Sequence, residues 1–466
     1  MLTDDIQFYK TRVRPQYRRP YQARWRVGTK VHPRSFVTGE LADNWLAELR
    51  TAARRGELFD VDSGLPQSKL RELRNVTWFA HAREYAHHQW PDLAAKSRVS
   101  MVEALMAVTP VLVKDLPDRP EPEVLRKALR NWAFRLEARE EVKAGKRQKT
   151  WCAPEAPAEM RDALAWIEKA SLHMSEISAP EYLGRAVQAC YRKLDGSAAA
   201  PDYASRRRRG FYAALQRAVL LERLPSNPLA GGAVPREWKP PKTDDEVDPR
   251  SIGNPATVAH VLTTVSYVGR RQGPRFTAWF GCMYYAMMRP EEVADLRRSG
   301  CHLPEAGWGT LTFSVSAPAA GKQWTDSGTV HEERGLKGRT RKAVRTVPIP
   351  PKLVAMLREH IERFGCGPDG RLFRSEQGNA IQPSTYWRVW RRARELALGL
   401  EEAKGPLLKR PYDLRHAGVT YRLNSGVPAT QIAEWAGHSV DVLNRIYAKV
   451  WKGMDDVWIE RMGDFG

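Results

Sequence analysis

The chain has 466 residues, with 75 lysines and arginines against 54 aspartates and glutamates, giving a formal net charge of +21. At roughly 100 to 200 residues per domain this length argues for about two to four domains rather than one small fold, and the charge favours phosphate or anionic lipid over free amino acids or sugars as the main partner. A hydrophobic fraction of 42% with 28% charged residues is ordinary for folded domains and excludes wholesale disorder.

Residues 1–66 open with the basic residues Lys10, Arg12, Arg14, Arg18 and Arg19, followed by a stretch in which Trp25, Val27, Val31 and Phe36 punctuate polar residues around Gly28. That pattern predicts a hairpin or three-stranded sheet. Leu41, Trp45, Leu46 and Leu49 then recur at helical spacing over Glu40–Arg55, so a small module of strands plus one helix is expected. From Thr77 to Pro228 the apolar spacing is helical in successive blocks, and an all-α domain is expected over 67–228. Its last helix carries Arg206, Arg207, Arg208 and Arg209 directly before Phe211 and Tyr212. A run of this kind suits a phosphate backbone, although a solvated helix start explains it too.

Residues 229–253 are rich in proline, glycine and mixed charge and read as a linker. Asn254 followed by Pro255 makes an N-cap and first-turn pair, so a third domain is predicted over 254–466. It is mainly helical, with strands at Thr310–Ser316 and Arg345–Pro348. On its helix starting at Ser384, Trp387 and Trp390 read as core and the neighbouring arginines as a solvent or phosphate-facing stripe; helically spaced apolar residues over 450–465 would pack on this domain or on a neighbouring protomer. The longest apolar stretch, Ala278–Met288, is short of the roughly 20 residues needed to cross a bilayer, and Met1–Lys10 lacks an apolar signal-peptide core. A cytoplasmic protein without a membrane partner is therefore expected. Cys152, Cys190, Cys282, Cys301 and Cys366 are odd in number and never form CxxC, so reduced packing residues are expected rather than disulfides or a zinc site.

The region 410–447 holds the most chemistry. It places Arg415 in R-P-Y-D-L-R-H-A-G, His438 in A-G-H-S, and Tyr447 nine residues beyond that histidine. Singly, these read as a surface ion pair, a cap and a core residue. Arg289, after a mostly apolar run, is expensive to bury unless paired, and Glu292 one helical turn on is the candidate partner. Two arginines supply planar forks suited to the non-bridging oxygens of one phosphate. A tyrosine hydroxyl is a weak nucleophile until positive charge and a proton acceptor help it ionise, and the arginines and His438 would stabilise charge gathered on an attacked phosphodiester. No acidic metal-ligand cluster accompanies them in sequence, so neither metal nor cofactor is expected.

Together these residues resemble the tyrosine recombinase (phage integrase) family, and within it the integrases of actinobacterial phages and integrative elements. Arg289 in M-R-P-E-E-V-A-D-L is similar to the family's first arginine, Lys337 in R-G-L-K-G-R to its hairpin lysine, with Lys342 as the alternative. Arg415 resembles the second arginine, Gly437-His438 the Gly-His pair, and Tyr447 the nucleophile. The resemblance implies a multidomain, mainly α protein: a small sheet-plus-helix arm-binding module, an all-α core-binding domain and a mixed α+β catalytic domain. It implies that Arg289, Arg415 and His438 clamp a scissile phosphate and Tyr447 attacks it to form a 3′-phosphotyrosyl link. Lys337 would then protonate the leaving 5′-hydroxyl, and exchange would pass through a Holliday junction without ATP. Implied partners are double-stranded DNA attachment sites of core and arm type and three further copies in a homotetramer, with an excisionase or DNA-bending accessory protein and a nucleoid location. Arg24, Arg26 and the Arg206–Arg209 run would contact the DNA.

One departure concerns the family's H-x-x-R histidine, replaced here by Tyr412. A tyrosine is a poor base near neutrality, which leaves water, or His416 if it points inward; His416 reads first as a packing or backbone-bonding residue. Two rival functions remain, a type IB topoisomerase-like relaxase and a non-catalytic DNA-binding regulator on the same scaffold.

Overall fold

The computed structural model describes residues 2–74, 76–143, 146–231, 235–241, 247–336 and 344–447. The chain divides into two compact units, one of residues 1–92 and 100–241, the other of residues 93–99 and 242–466. Among the described residues, no helix is long and apolar enough to cross a membrane.

In the first unit, strand Tyr21–Val27 is central. It pairs antiparallel with Lys30–Phe36 on one edge and with Ile6–Phe8 and Arg12–Val13 on the other, making four strands where a hairpin or three were expected. Strand alternation buries Ala23, Trp25 and Val27 and leaves Arg24 and Arg26 on the opposite face. The helix Gly39–Arg54 covers the buried face with Leu46 and Leu49, and Thr38 caps it by accepting the Leu41 N–H at 3.3 Å.

The remainder of this unit is helical at Trp78–Gln89, the part of Ala95–Val108 from Ser100 on, Pro122–Ala128, Ala158–Ala170, Pro180–Tyr191 and Pro201–Leu220. Trp78 meets Phe211 edge-on with ring centroids 5.4 Å apart, joining the first of these helices to the last. The unbroken helical reading of this region misses an antiparallel hairpin, Glu137–Lys143 with Lys146–Cys152. Its sequence is so charged that no apolar period marks either element type, and the ladder sets Glu140 opposite Lys149, an opposite-charge pair of the kind that supports a ladder. The stretch read as a linker holds short 3₁₀ turns at Arg236–Trp238 and Pro249–Ser251.

The second unit surrounds the apolar helix Gln272–Tyr285, against which Pro255–Val265, Pro351–Phe364 and Asp413–Asn424 pack. Asn254 caps the first of these through the Thr257 N–H at 2.8 Å. A three-stranded antiparallel sheet runs in the order Arg345–Ile349, Gly309–Phe313, Cys301–His302, and Val315–Ser316 pairs with Arg334–Gly335. Trp279, Phe280, Trp390 and Leu414 are in its core. Trp390 is buried and donates from Nε1 to the Leu408 carbonyl at 2.8 Å, whereas Trp387 is exposed. Lys337 and Lys342, and the apolar tail 450–465, lie outside the described residues.

Candidate active site

Three short segments converge in the second unit. The helix Gln272–Tyr285 ends before Met287, a non-glycine residue in left-handed backbone at φ 52°; such strain commonly marks a functional site. Its consequence here is a carbonyl that accepts from Arg415 Nη1. Arg415 lies in the first turn of Asp413–Asn424, a helix that passes so close to Gln272–Tyr285 that a Cβ at Gly418 would collide with the Tyr284 carbonyl. The third segment is the turn after Ala429–Ala436, where Gly437 takes φ 67° as a left-handed C-cap. A Cβ at Gly437 would also strike Arg345 Nη1, so the glycine is needed both for its backbone and for its empty side.

Arg289 caps the helix Pro290–Ala294 and is 11% exposed. It donates from Nη1 to Glu292 at 2.8 Å and from Nη2 to the Gly437 carbonyl at 2.8 Å. The expected partnership with Glu292 is present, but Glu292 is shared. Arg345, 1% exposed, grips the same carboxylate at 3.0 and 2.6 Å and lies over the Phe313 ring at 4.4 Å. Burial alone would raise the Glu292 carboxyl, but the guanidiniums of Arg345, Arg289 and Arg415 hold it down at about 2, so it is ionised at neutral pH. Sequence reasoning missed Arg345. The signal was available: it shares the inward period of its strand with Val347 and Ile349, and an arginine at such a position implies a buried partner.

Arg415 is fully buried and, among the described residues, has no carboxylate as a hydrogen-bond partner. Besides Met287, it donates from Nη2 to the Ala436 carbonyl at 2.5 Å and to His438 Nε2 at 2.7 Å. Arginine is an obligate donor, so Nε2 of His438 accepts and its hydrogen is on Nδ1. Burial, then the charges of Arg415 and Arg289, push His438 down to about 2 and keep it neutral. His438 Nδ1 and Arg415 Nε are both buried without a hydrogen-bond partner among the described residues. Two unpaired buried donors beside surplus positive charge are what an anion would satisfy.

Tyr447 ends the helix Val440–Tyr447 and is 1% exposed. Burial raises its hydroxyl above the ordinary tyrosine value, with Arg415 opposing. Its ring is 6.4 Å from that of His438, and its hydroxyl lies 2.9 Å from Nδ1 of His416. His416 therefore bonds the tyrosine, where packing or a bond to the backbone was expected first. Tyr412 stands edge-on to His416, with ring centroids 5.1 Å apart. Arg289, Glu292, Tyr412, Arg415, His416, His438 and Tyr447 are thus gathered in one place, with Arg345 added.

The residues assigned to DNA contact are more dispersed in character. In the four-arginine run Arg206 and Arg209 are exposed, whereas Arg207 is buried, donating to the Arg192 carbonyl and Tyr203 hydroxyl at 2.9 Å each. This corrects the picture of one exposed cluster: Arg207 shares the inward helix face with Ala204 and Phe211. Arg208 donates to the Trp238 carbonyl at 2.6 Å. Arg24 lies over the Tyr9 ring at 5.3 Å, and Arg26 pairs with Asp5 at 3.2 Å.

Residues 262–453 match the phage integrase family. A tyrosine recombinase XerC-like protein of Caldanaerobacter subterraneus subsp. tengcongensis is 27% identical over 139 residues, covering 27% of this chain and 34% of that protein. An integrase of Streptomyces ambofaciens is 30% identical over 126 residues, covering 25% and 31%. The chain thus spans about a third of the length of these two relatives, 34% and 31%. The integrase of Mycobacterium phage D29 is 24% identical over 173 residues, 34% of this chain and 44% of that one. A solved structure of the Tn1549 transposon integrase in complex with transposon right end DNA is 17% identical, covers 60% of this chain and 84% of that chain, and has a TM-score of 0.46; so loose a likeness carries no residue correspondence. Residues 262–453 thus carry a domain of the phage integrase family, similar over part of its length to tyrosine recombinases and integrases.

Proposed function

We propose that the chain is a site-specific DNA recombinase that cleaves and rejoins attachment sites through a 3′-phosphotyrosyl intermediate and a Holliday junction, integrating or excising a mobile element. The observation that carries this reading is the meeting of a buried tyrosine hydroxyl with two arginines, a neutral histidine and unpaired donors in one site. Arg415 Nε and His438 Nδ1 donate to the non-bridging oxygens of the scissile phosphate, and Arg289 adds a fork fixed in place by Glu292. As Tyr447 attacks phosphorus, charge builds on those oxygens, and fixed donors in a dry site stabilise it without reorganising. Lys337 protonates the departing 5′-hydroxyl. One phosphoester replaces another, so the exchange is near thermoneutral and reversible and consumes no ATP.

In this reading residues 1–66 bind arm-type DNA through the sheet bearing Arg24 and Arg26, and 67–228 bind the core site with help from Arg206 and Arg209. Residues 229–253 link them to the catalytic domain, 254–466. Four copies act on synapsed DNA in the cytoplasm, with an excisionase or DNA-bending protein setting direction. The test is a nicked suicide substrate carrying the attachment site adjacent to the element, offered to the wild type and to Tyr447→Phe. A covalent protein–DNA band on a denaturing gel with the wild type, absent in the variant, is expected. Intact binding without a band would favour the non-catalytic regulator, and relaxation of plasmids lacking any attachment site would favour a topoisomerase-like relaxase.

A further inference from the structure

Tyr412 occupies the place of the histidine that would accept a proton from the nucleophile, and a phenol lacks the basic nitrogen of an imidazole. A different imidazole touches the nucleophile. His416 Nδ1 is 2.9 Å from the Tyr447 hydroxyl oxygen, with His416 9% and Tyr447 1% exposed. We propose that His416 is the catalytic base of strand cleavage: it holds the Tyr447 hydroxyl at rest and takes its proton as the oxygen attacks phosphorus. This assignment rests on the recombinase reading above.

The helix Asp413–Asn424 makes the arrangement possible. Adjacent residues on a helix point about 100° apart, so Arg415 reaches the Gly437–His438 turn while its neighbour His416 reaches the end of the nucleophile's helix. Tyr412, one turn earlier, closes edge-on against the imidazole at an interplanar angle of 65°. It serves as a positioning residue for the base. Among the described residues, the groups that face His416 are Arg415 and Arg410 from its own helix and the turn before it, Tyr412 from that same turn, His438 from the Gly-His turn, and Tyr447 from the helix Val440–Tyr447.

Burial, then Arg415 and Arg410, push His416 down to about 3, while burial raises the Tyr447 hydroxyl. At rest the imidazole is neutral, and in its Nε2–H tautomer the Tyr447 hydroxyl donates to Nδ1. Transfer of the proton in this state would add an imidazolium beside Arg415 and is unfavourable. A phosphodiester bound to Arg289, Arg415 and His438 brings one negative charge into the site, which raises the proton affinity of the imidazole. The base therefore becomes competent when its substrate arrives. In the step itself the Tyr447 Oη–H bond breaks and its proton passes to Nδ1; the Oη–P bond forms and the P–O5′ bond breaks. The electron pair stays on O5′, which takes a proton from the proposed general acid, and in religation His416 returns its proton to the tyrosine oxygen.

Single-turnover cleavage of the suicide substrate from about pH 6 to about pH 10 tests this, using the wild type, His416→Ala and His416→Gln, the last keeping an amide oxygen that can accept from Tyr447. At neutral pH each variant should cleave roughly 10²- to 10⁴-fold more slowly with DNA affinity unchanged. The deficit should shrink about tenfold per pH unit as hydroxide replaces the missing base. A 5′-bridging phosphorothiolate, whose leaving group needs no acid, should leave the deficit in place. A deficit constant with pH, one lifted by the sulfur leaving group, or full activity in either variant overturns the assignment while leaving the recombinase intact. A wild type without any Tyr447-dependent adduct removes the recombinase reading and this assignment with it.

Discussion

Arg289 and Arg415 meet at the same turn, Ala436–His438, yet their charges are balanced in opposite ways. Arg289 and Arg345 share the single carboxylate of Glu292, so that side of the site is a directly bonded ion cluster with one positive charge left over. Arg415 is held by the carbonyls of Met287 and Ala436 and by a neutral histidine. Carbonyl dipoles orient a guanidinium but give it no directly bonded counter-ion. The contrast is one of bonding: the Arg289 side is pinned by direct ion pairs, and the Arg415 side by uncharged acceptors.

The sharpest way to break this contrast is Glu292→Gln. It leaves two guanidiniums deep in the domain with no bonded carboxylate among the described residues, and removing one partner of a buried pair costs about 3–5 kcal/mol. A urea unfolding series should read a loss of that size in the unit that holds residues 242–466. Arg415→Met should cost less, about 1–3 kcal/mol, because it strands only uncharged acceptors. If Arg415→Met proved the more destabilising, the charge of Arg415 would have to be compensated by something other than the groups named here.

The same pair of variants sharpens the second half of the contrast through ligand binding. Sulfate at ten times its dissociation constant stabilises a site that only the folded state offers by about 1.4 kcal/mol. Wild type should gain that much on titration with sulfate at constant ionic strength, and Arg415→Met should gain none. An equal gain in both proteins would place anion binding elsewhere on this basic chain.

The amino-acid pattern exposed some of this arrangement and concealed the rest for identifiable reasons. Arg289 with Glu292 was legible because a charge following an apolar run demands a partner at helical spacing. Arg415, His438 and Tyr447 were legible only as a set, since each alone has an ordinary structural explanation. Arg345 was hidden by habit more than by physics, for its alternation with Val347 and Ile349 points inward. Arg207 is the same lesson on a helix: a run of four arginines cannot face one way at 3.6 residues per turn, and the member aligned with Ala204 and Phe211 must turn in. The carbonyls of Met287 and Ala436 were beyond reach, because any residue has a carbonyl and only the folded turn decides where it points. The hairpin Glu137–Cys152 escaped because its stability lies in a backbone ladder and cross-strand charge, which leave no apolar period to detect.

The gentlest probe of the contrast is acid. His416 and His438 flank Arg415 and are pushed from their ordinary value of 6.5 to about 3 and about 2, mainly by burial and then by that guanidinium. The unfolded chain binds protons at these two sites below about pH 6.5, whereas the folded chain does not until far lower, so the unfolded state gains as pH falls. Stability contributed by the neutral histidines is complete above the unfolded value and declines from about pH 6.5 towards pH 3. His360, about 4 when folded, adds to the same slope from outside the site. Replacing His416 by glutamine should therefore flatten the fall in unfolding free energy between about pH 6 and pH 4 without altering its sign. Arg415→Met should flatten it as well, since a weaker local positive potential lets both imidazoles titrate nearer their ordinary value. An unchanged slope in the Arg415 variant would mean that burial and the remaining guanidiniums keep these histidines neutral without Arg415, and the electrostatic difference between the two arginines would then be smaller than their bonding partners imply.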